Sequence, residues 1–119
     1  MLQTGNIKRV EKPWGHEIWF AQTEKYVGKI LHINAGELLS LQYHERKDET
    51  VFVLFGIMRM TVVDDAGVDN EVTLTRGEAV RIAPGQVHRM IAITTVEVVE
   101  VSTPEVGDVV RLQDRYGRT

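Results

Sequence analysis

Four side chains in the middle of this 119-residue sequence offer the ligand atoms that divalent metal ions bind. Gln42 and His44 lie two positions apart, so on a β-strand both point from the same face. Glu49 follows the polar segment 45–48, which is typical of a turn, and His88 follows a Pro-Gly turn signal. One amide oxygen, two imidazoles and one carboxylate suit a borderline ion such as Zn, Mn, Fe, Co or Ni. The four residues therefore predict a metal site.

The composition excludes several other kinds of site. With no cysteine, the chain cannot form disulfides, thiolate zinc sites or a cysteine nucleophile. A formal charge of −3, from 14 Lys plus Arg and 17 Asp plus Glu, argues against a nucleic-acid surface. No apolar run approaches the roughly 18 residues of a membrane span, and the N-terminus lacks the apolar core of a signal peptide. We therefore expect a cytoplasmic protein with no nucleic-acid or membrane partner.

The elements that must position these residues are β-strands. Short apolar runs rich in Val, Ile and Thr alternate with turn signals, and no segment longer than about 12 residues keeps a helical period. Strands at this spacing in a single small domain favour a sandwich or a closed barrel, and the length suits one domain. The predicted strands are 26–33, 50–55, 58–63, 71–75, 79–83, 90–93 and 96–101.

The spacing of the candidate ligands resembles that of the cupins. Segment 36–56 resembles the first cupin motif, Gly-x5-His-x-His-x(3–4)-Glu-x6-Gly, with Gln42 where most cupins have their first His. Segment 77–88 resembles the second motif. The resemblance implies an all-β fold, the cupin double-stranded β-helix or jelly-roll barrel, over residues 1–119. It also implies one divalent ion inside the barrel, with Zn favoured over Mn, Fe, Co or Ni. The implied ligands are Gln42, His44, Glu49 and His88.

Three further segments resemble a narrower family, the isomerase domain of the type II mannose-6-phosphate isomerase/GDP-mannose pyrophosphorylases. Segment 39–44, Leu-Ser-Leu-Gln-Tyr-His, is similar to that family's Leu-Ser-Leu-Gln-x-His. Segment 12–15 is similar to its Arg-Pro-Trp-Gly, and segment 108–118 to its C-terminal Asp-Ile-x-Arg-x-x-Asp-x-Tyr-Gly-Arg. The resemblance covers about residues 8–118 and omits the nucleotidyltransferase domain. It implies interconversion of mannose 6-phosphate and fructose 6-phosphate through an enediol.

Three positions differ from the pattern of that family. Lys12 and Lys47 stand where the family has Arg, and Val51 stands where it has Trp. A Lys ammonium cannot make the bidentate contact of an Arg guanidinium with a phosphate. Two other functions therefore stay open: a non-catalytic sugar-binding cupin, and a metal-dependent cupin enzyme of other chemistry such as a dioxygenase.

The resemblance also implies which residues meet the substrate, a small molecule expected to be a sugar phosphate. Lys29 matches a Lys of the family, and Lys47 and Arg111 are expected at an anion site with Arg118. Alternatively, the two arginines pair with neighbouring aspartates in a C-terminal brace. The aspartates available to the arginines are Asp108 and Asp114. The sequence does not identify the general base that proton transfer between C1 and C2 needs.

Because cupins of this size commonly dimerise by exchanging N-terminal strands, we expect a homodimer.

Overall fold

Eleven β-strands and no helix make up the regular structure of residues 4–118, the part of the chain that this computed structural model describes. No residue in that range therefore belongs to an apolar helix long enough to cross a membrane. The strands are β1 Lys8–Lys12, β2 Gly15–Gln22, β3 Val27–Ile33, β4 Leu41–His44, β5 Glu49–Phe55, β6 Met58–Val63, β7 Asp69–Leu74, β8 Ala79–Ile82, β9 His88–Ala92, β10 Val96–Ser102 and β11 Val109–Gln113.

The strands form two antiparallel sheets. The six-stranded sheet has the order β1-β2-β3-β10-β5-β8, and the five-stranded sheet has the order β11-β4-β9-β6-β7. Each of the seven predicted strands corresponds to an observed strand, which confirms the all-β fold class. The list of predicted strands did not include β1, β2, β4 and β11, although Gln42 and His44 of β4 were considered as residues of a strand. In β1 a single valine stands among charged residues, and in β2 apolar residues follow one another without alternation.

The core lies between the sheets and fills one end of the space that they enclose. It consists of aliphatic and methionine side chains, with one tryptophan, that are almost fully buried. Burial of this apolar surface stabilises the fold by roughly 25 cal/mol for each Å² removed from water. The members are Trp14, Leu31, Ile33, Leu39, Val51, Val53, Met58, Met60, Leu74, Ile82, Met90, Ala92, Val96 and Val98.

The inward faces of three strands change from apolar to polar toward the other end. On β10 the inward residues Val96 and Val98 are followed by Glu100, which is also buried. Lys29 of β3 pairs with Glu100 in the sheet register, so the two side chains lie side by side on the inner face. On β9 the polar inward residue is His88. Both sheets therefore direct buried polar side chains into the same end of the barrel.

Candidate metal centre

Three of the four predicted ligands meet inside the polar end. His44 ends β4, Glu49 begins β5 and His88 begins β9, and these side chains are 5%, 2% and 1% exposed. Their ligand atoms all lie within 4.8 Å of one another. Glu49 Oε1 lies 3.4 Å from His88 Nε2 and 3.9 Å from His44 Nε2. The group joins the two sheets, because β5 belongs to one and β4 and β9 to the other.

Hydrogen bonds on the far side of each imidazole aim its other nitrogen at the centre. Nδ1 of His88 lies 2.8 Å from the carbonyl oxygen of Gln86, which can only accept, so Nδ1 carries the proton. Nδ1 of His44 lies 3.1 Å from Oδ1 of Asp108. Asp108 is itself held by the backbone N–H groups of residues 46–47. Both Nε2 atoms therefore present lone pairs, as metal-binding histidines require.

The donor atoms of this group fit a divalent cation. Among the residues described, Nε2 of His88 and Oε1 of Glu49 are buried and have no hydrogen-bond partner. Buried polar atoms left in this way cost about 1–3 kcal/mol each, and coordination of an ion would satisfy both. Two imidazole nitrogens and a carboxylate oxygen are ligands that zinc and similar ions accept. The His-Glu-His group could therefore hold a metal ion.

The protonation states of the group also suit metal binding. Burial alone would raise the pKa of Glu49, but the close approach of His88 and the charge of Lys47 hold that pKa well below its usual range. Burial and the nearby Lys47 ammonium lower the pKa of His44. At neutral pH the protein therefore offers an ionised carboxylate and a neutral imidazole, the forms that bind metals.

Gln42, the fourth predicted ligand, lies at the edge of the group. It pairs with His88 in the register between β4 and β9. Its amide Nε2 is 3.3 Å from Nε2 of His44, and its Oε1 accepts a hydrogen bond of 2.6 Å from Ser40. A 180° rotation of the amide would exchange these atoms and turn the oxygen toward His44. The structure thus brings the Gln42 side chain beside His44, at the edge of the group.

Lys47, expected at an anion site, is buried beside the His44–Glu49–His88 group. Its Nζ lies 3.0 Å from Glu49 Oε2 and 3.0 Å from Glu100 Oε2. Burial would lower the pKa of Lys47, but Glu100 and Glu49 outweigh burial and raise that pKa above its usual range. The Lys47 ammonium therefore compensates two buried carboxylates, and its first role is to position them.

A cavity of about 130 Å³ opens next to the group and includes Gln42 and His44 in its wall. Trp14 and Trp19 form part of the apolar lining. Charged residues of both signs complete the wall, with cations in excess. The cations are Lys12, Lys29, Lys47, Arg111 and Arg118, and the carboxylates are Glu17 and Glu100.

Lys29, expected to meet the substrate, lies on the cavity wall and is held by two neighbours. Its Nζ lies 4.0 Å from the centre of the Trp19 ring and 3.5 Å from Oε1 of Glu17. The same Glu17 oxygen accepts a hydrogen bond of 2.9 Å from Nε1 of Trp19. Burial lowers the pKa of Lys29, although Glu100 and Glu17 oppose that change. The three side chains together fix one wall of the cavity.

Both predicted C-terminal arginines line the cavity, and one of them also forms the alternative brace. Arg118 makes two side-chain hydrogen bonds to Asp114, at 2.9 and 3.0 Å. Arg111 lies opposite Gln42 in the register between β11 and β4. This register places Arg111 near the His44–Glu49–His88 group. Asp108, the other aspartate considered for the brace, contacts His44 and the backbone that follows it.

Sequence reasoning gave no site role to Glu17 and Glu100 and considered Asp108 only as a partner of the C-terminal arginines, although the chain contained a signal for one of the three. On β10 the inward positions alternate, so the burial of Val96 and Val98 places Glu100 on the inner face. A charged residue in the inward phase of a strand indicates a polar interior. No comparable local pattern marks the other two residues, because their roles depend on contacts between distant segments.

Residues 29–103 match the family model described as a cupin domain. The two-sheet β-fold and the buried His-Glu-His group agree with that match. Because the match spans most of the sequence, the chain belongs to the cupin family.

Within the cupin family, the chain is similar in sequence to parts of longer proteins of mannose 1-phosphate and alginate metabolism. The chain is 33% identical over 117 residues to mannose-1-phosphate guanylyltransferase ManC of Salmonella typhimurium, covering 93% of this chain and 23% of ManC. It is 30% identical over 122 residues to the alginate biosynthesis protein AlgA of Pseudomonas aeruginosa, covering 98% of this chain and 24% of AlgA. The chain therefore spans about a quarter of the length of these relatives. The matches confirm the predicted resemblance to the C-terminal part of the bifunctional type II enzymes.

Solved structures confirm the cupin fold. KdgF from Halomonas sp. superposes with a TM-score of 0.71 at 18% identity, covering 87% of this chain and 92% of KdgF. The capsular polysaccharide assembling protein CapF from Staphylococcus aureus gives a TM-score of 0.76 at 16% identity, over 92% of this chain and 33% of CapF. An oxalate decarboxylase mutant from Bacillus subtilis gives 0.77 at 14% identity, over 90% of this chain and 30% of that enzyme.

Proposed function

We propose that this cupin is a metal-dependent isomerase that interconverts an aldose phosphate and a ketose phosphate of the mannose 6-phosphate and fructose 6-phosphate type. The observation that supports it most is a cation-rich cavity beside the His-Glu-His group, with His44 in its wall. The similarity to ManC and AlgA also supports the proposal, because these relatives are named for mannose 1-phosphate and alginate metabolism.

Each part of the site has a chemical role in this proposal. Gln42, His44, Glu49 and His88 hold the ion. A divalent ion bound there would supply Lewis-acid stabilisation of the negative charge that develops on a substrate oxygen. Lys29, Arg111 and the other cations of the wall attract the phosphorylated sugar. Trp14 and Trp19 keep water from part of the cavity wall.

The proposal extends to the state of the whole protein. Residues 1–119 form a single cupin domain that works in the cytoplasm as a homodimer. The dimer is supported by an apolar row on the outer face of the six-stranded sheet, where Ile18, Ile30, Val99 and Phe52 line up across four adjacent strands. Zn is the first candidate for the ion, since imidazole and carboxylate ligands suit it.

A non-catalytic sugar-binding role is the second candidate. It is favoured by the cations that already have acidic partners: Lys47 is paired with Glu49 and Glu100, and Arg118 with Asp114. A cavity with fewer uncompensated cations would hold a sugar more weakly and orient it less firmly. A binding module of this kind would bind the sugar phosphate without converting it.

The test compares metal-loaded wild-type protein with the double variant His44→Ala, His88→Ala in D2O. Each protein is stripped, reloaded with Zn, Mn, Co, Ni or Fe(II), and incubated with mannose 6-phosphate and with fructose 6-phosphate. Proton NMR then follows deuterium at C1 and C2. Exchange that occurs in the wild type and is lost in the double variant supports the isomerase. Binding of the sugar without exchange would favour the second candidate.

A further inference from the structure

Glu100 is a buried carboxylate of the cavity wall to which neither the predicted metal set nor the family motifs assign a role. It lies on β10 at an inward position and is 4% exposed. One of its oxygens lies 3.0 Å from Nζ of Lys47. The same Nζ contacts Glu49, a candidate metal ligand. Glu100 therefore faces the cavity one lysine away from the candidate metal centre.

We propose that Glu100 is the catalytic residue that carries the proton between C2 and C1 of the substrate. This inference rests on the proposed isomerase function. An aldose–ketose conversion needs a group that first removes a proton from carbon and then returns it to the neighbouring carbon. Glu100 combines the required chemistry, a carboxylate, with a place on the cavity wall beside the candidate metal centre.

Three other titratable groups in or beside the cavity wall are less suited to this task. Glu49 is one of the three donors of the candidate metal group. Glu17 accepts a hydrogen bond from Trp19 and pairs with Lys29. Lys47 is held in its protonated form by two carboxylates, so it cannot accept a proton near neutral pH. Glu100 lines the cavity and accepts a hydrogen bond from Lys47 at Oε2, so we assign the proton transfer to Glu100.

The surroundings of Glu100 also give its carboxyl a suitable proton affinity. Burial, and after it the charge of Glu49, raise the pKa of Glu100 to about 7, against the opposing charges of Lys47 and Lys29. A group with a pKa near the working pH can both accept and release a proton at an effective rate. Lys29 approaches from β3, Glu49 from β5 and Lys47 from the turn before β5.

The reaction balances with Glu100 as the only proton carrier at carbon. Its carboxylate takes the proton from C2 of the aldose, the C2–H electron pair becomes the C1=C2 bond, and the carbonyl pair moves to O1. The proton of the O2 hydroxyl then passes to O1. Finally O2 forms the new carbonyl and C1 receives the proton from Glu100. No oxidant, reductant or further reactant takes part.

The test uses Glu100→Gln, which keeps the size of the side chain and removes its ability to take a proton. The matched control is Glu97→Gln on the same strand, since Glu97 lies on the outer face and contacts His32. Both variants and the wild type are loaded with Zn, and the metal content per chain is measured. The rate of deuterium entry at C1 of fructose 6-phosphate and the kcat and KM for interconversion are then compared in D2O.

The expected result is a loss of roughly 10²- to 10⁴-fold in kcat and in deuterium entry for Glu100→Gln, the usual range for removing an acid–base group. KM and metal content stay near the wild-type values, and Glu97→Gln behaves as the wild type. If Glu100→Gln does not fold, Glu100→Asp serves instead: it should bind metal normally and exchange deuterium at a clearly reduced rate.

Two results overturn the inference, and they can be told apart. A Glu100→Gln protein that exchanges deuterium within about threefold of the wild type removes Glu100 from proton transfer and leaves the isomerase intact. A wild-type protein that binds metal and shows no exchange overturns the isomerase and the role of Glu100 together.

Discussion

The imidazoles of His44 and His88 are aimed by contacts on the side away from the candidate metal. For His44 that contact is Asp108, which reaches it from the segment just before β11. Partners of this kind typically contribute 10- to 100-fold to metal affinity, because they fix the ring orientation and raise its basicity. We therefore expect a residue outside the proposed ligand set to affect the metal affinity.

We predict that Asp108→Ala lowers the affinity for Zn by roughly 10- to 100-fold. The measurement is a competition titration with a chromogenic chelator. Asp48→Ala is the control, because Asp48 lies in the turn between β4 and β5 but pairs with Arg81 at the surface. Equal affinities in the two variants would show that Asp108 does not support the site.

The raised pKa of Glu100 leads to a second prediction, which concerns the pH dependence of the free energy of unfolding of metal-free protein. Because the folded pKa, about 7, lies above the unfolded value, the folded state binds more protons between about pH 4 and 7. The contribution of Glu100 to stability is therefore present at low pH and is lost as pH rises through 7. The slope approaches about 1.4 kcal/mol per pH unit for one group.

In Glu100→Gln this contribution is absent. The free energy of unfolding of the variant, relative to the wild type, should therefore increase as pH rises from 5 to 7. Urea denaturation of both proteins at several pH values in the presence of a chelator measures the difference. Parallel pH curves for the two proteins would contradict the raised pKa.

At the scale of the elements, alternation was the informative signal. It identified β10 and most strands of the core, and the motif spacing placed His44, Glu49 and His88 on strands that meet. It failed for β1 and β11, two edge strands in which no residue is fully buried, and it also failed for β2 and β4. The contacts of Lys47 could not be predicted either, since they depend on β10 lying beside β5.

The turn between β5 and β6 makes a prediction at this scale. Gly56 has φ +89, and a Cβ at this position would lie 2.3 Å from the carbonyl oxygen of Thr95. Gly67 also has a positive φ, +78, but nothing lies within 4 Å of the corresponding Cβ. Both substitutions to alanine strain the backbone, and only Gly56→Ala adds a collision with another segment.

Gly56→Ala should therefore reduce the free energy of unfolding by clearly more than Gly67→Ala, whose cost is about 1 kcal/mol from conformation alone. Urea denaturation of the two variants beside the wild type measures both values. The close packing of this turn would be disproved by equal losses.

At the scale of the whole molecule, the outer face of the six-stranded sheet carries a row of apolar side chains. Phe52 is 41% exposed, Val99 lies next to it on β10, and Ile30 lies next to Val99 on β3. Contiguous apolar patches on a sheet commonly mark an interface with another chain. The family resemblance predicts a homodimer that exchanges N-terminal strands, and we propose this row of residues as a contact between the two chains.

We expect the wild type to sediment at twice the mass of the chain and Phe52→Glu to sediment as a monomer. A charge buried in an apolar interface without a partner costs more than the contact can supply. Val68→Glu is the control, because Val68 is exposed in the turn before β7. A wild type that sediments as a monomer at micromolar concentration would exclude this dimer.

A titration tests directly whether a single metal ion per chain enables the proposed isomerisation. Metal-free protein receives increasing amounts of Zn, and at each step the rate of conversion of mannose 6-phosphate to fructose 6-phosphate is measured together with the bound metal. We predict that the rate rises in proportion to bound metal and stops increasing at one ion per chain. Full occupancy by Zn, or by Mn, Co, Ni or Fe(II), with no conversion at any step would contradict it.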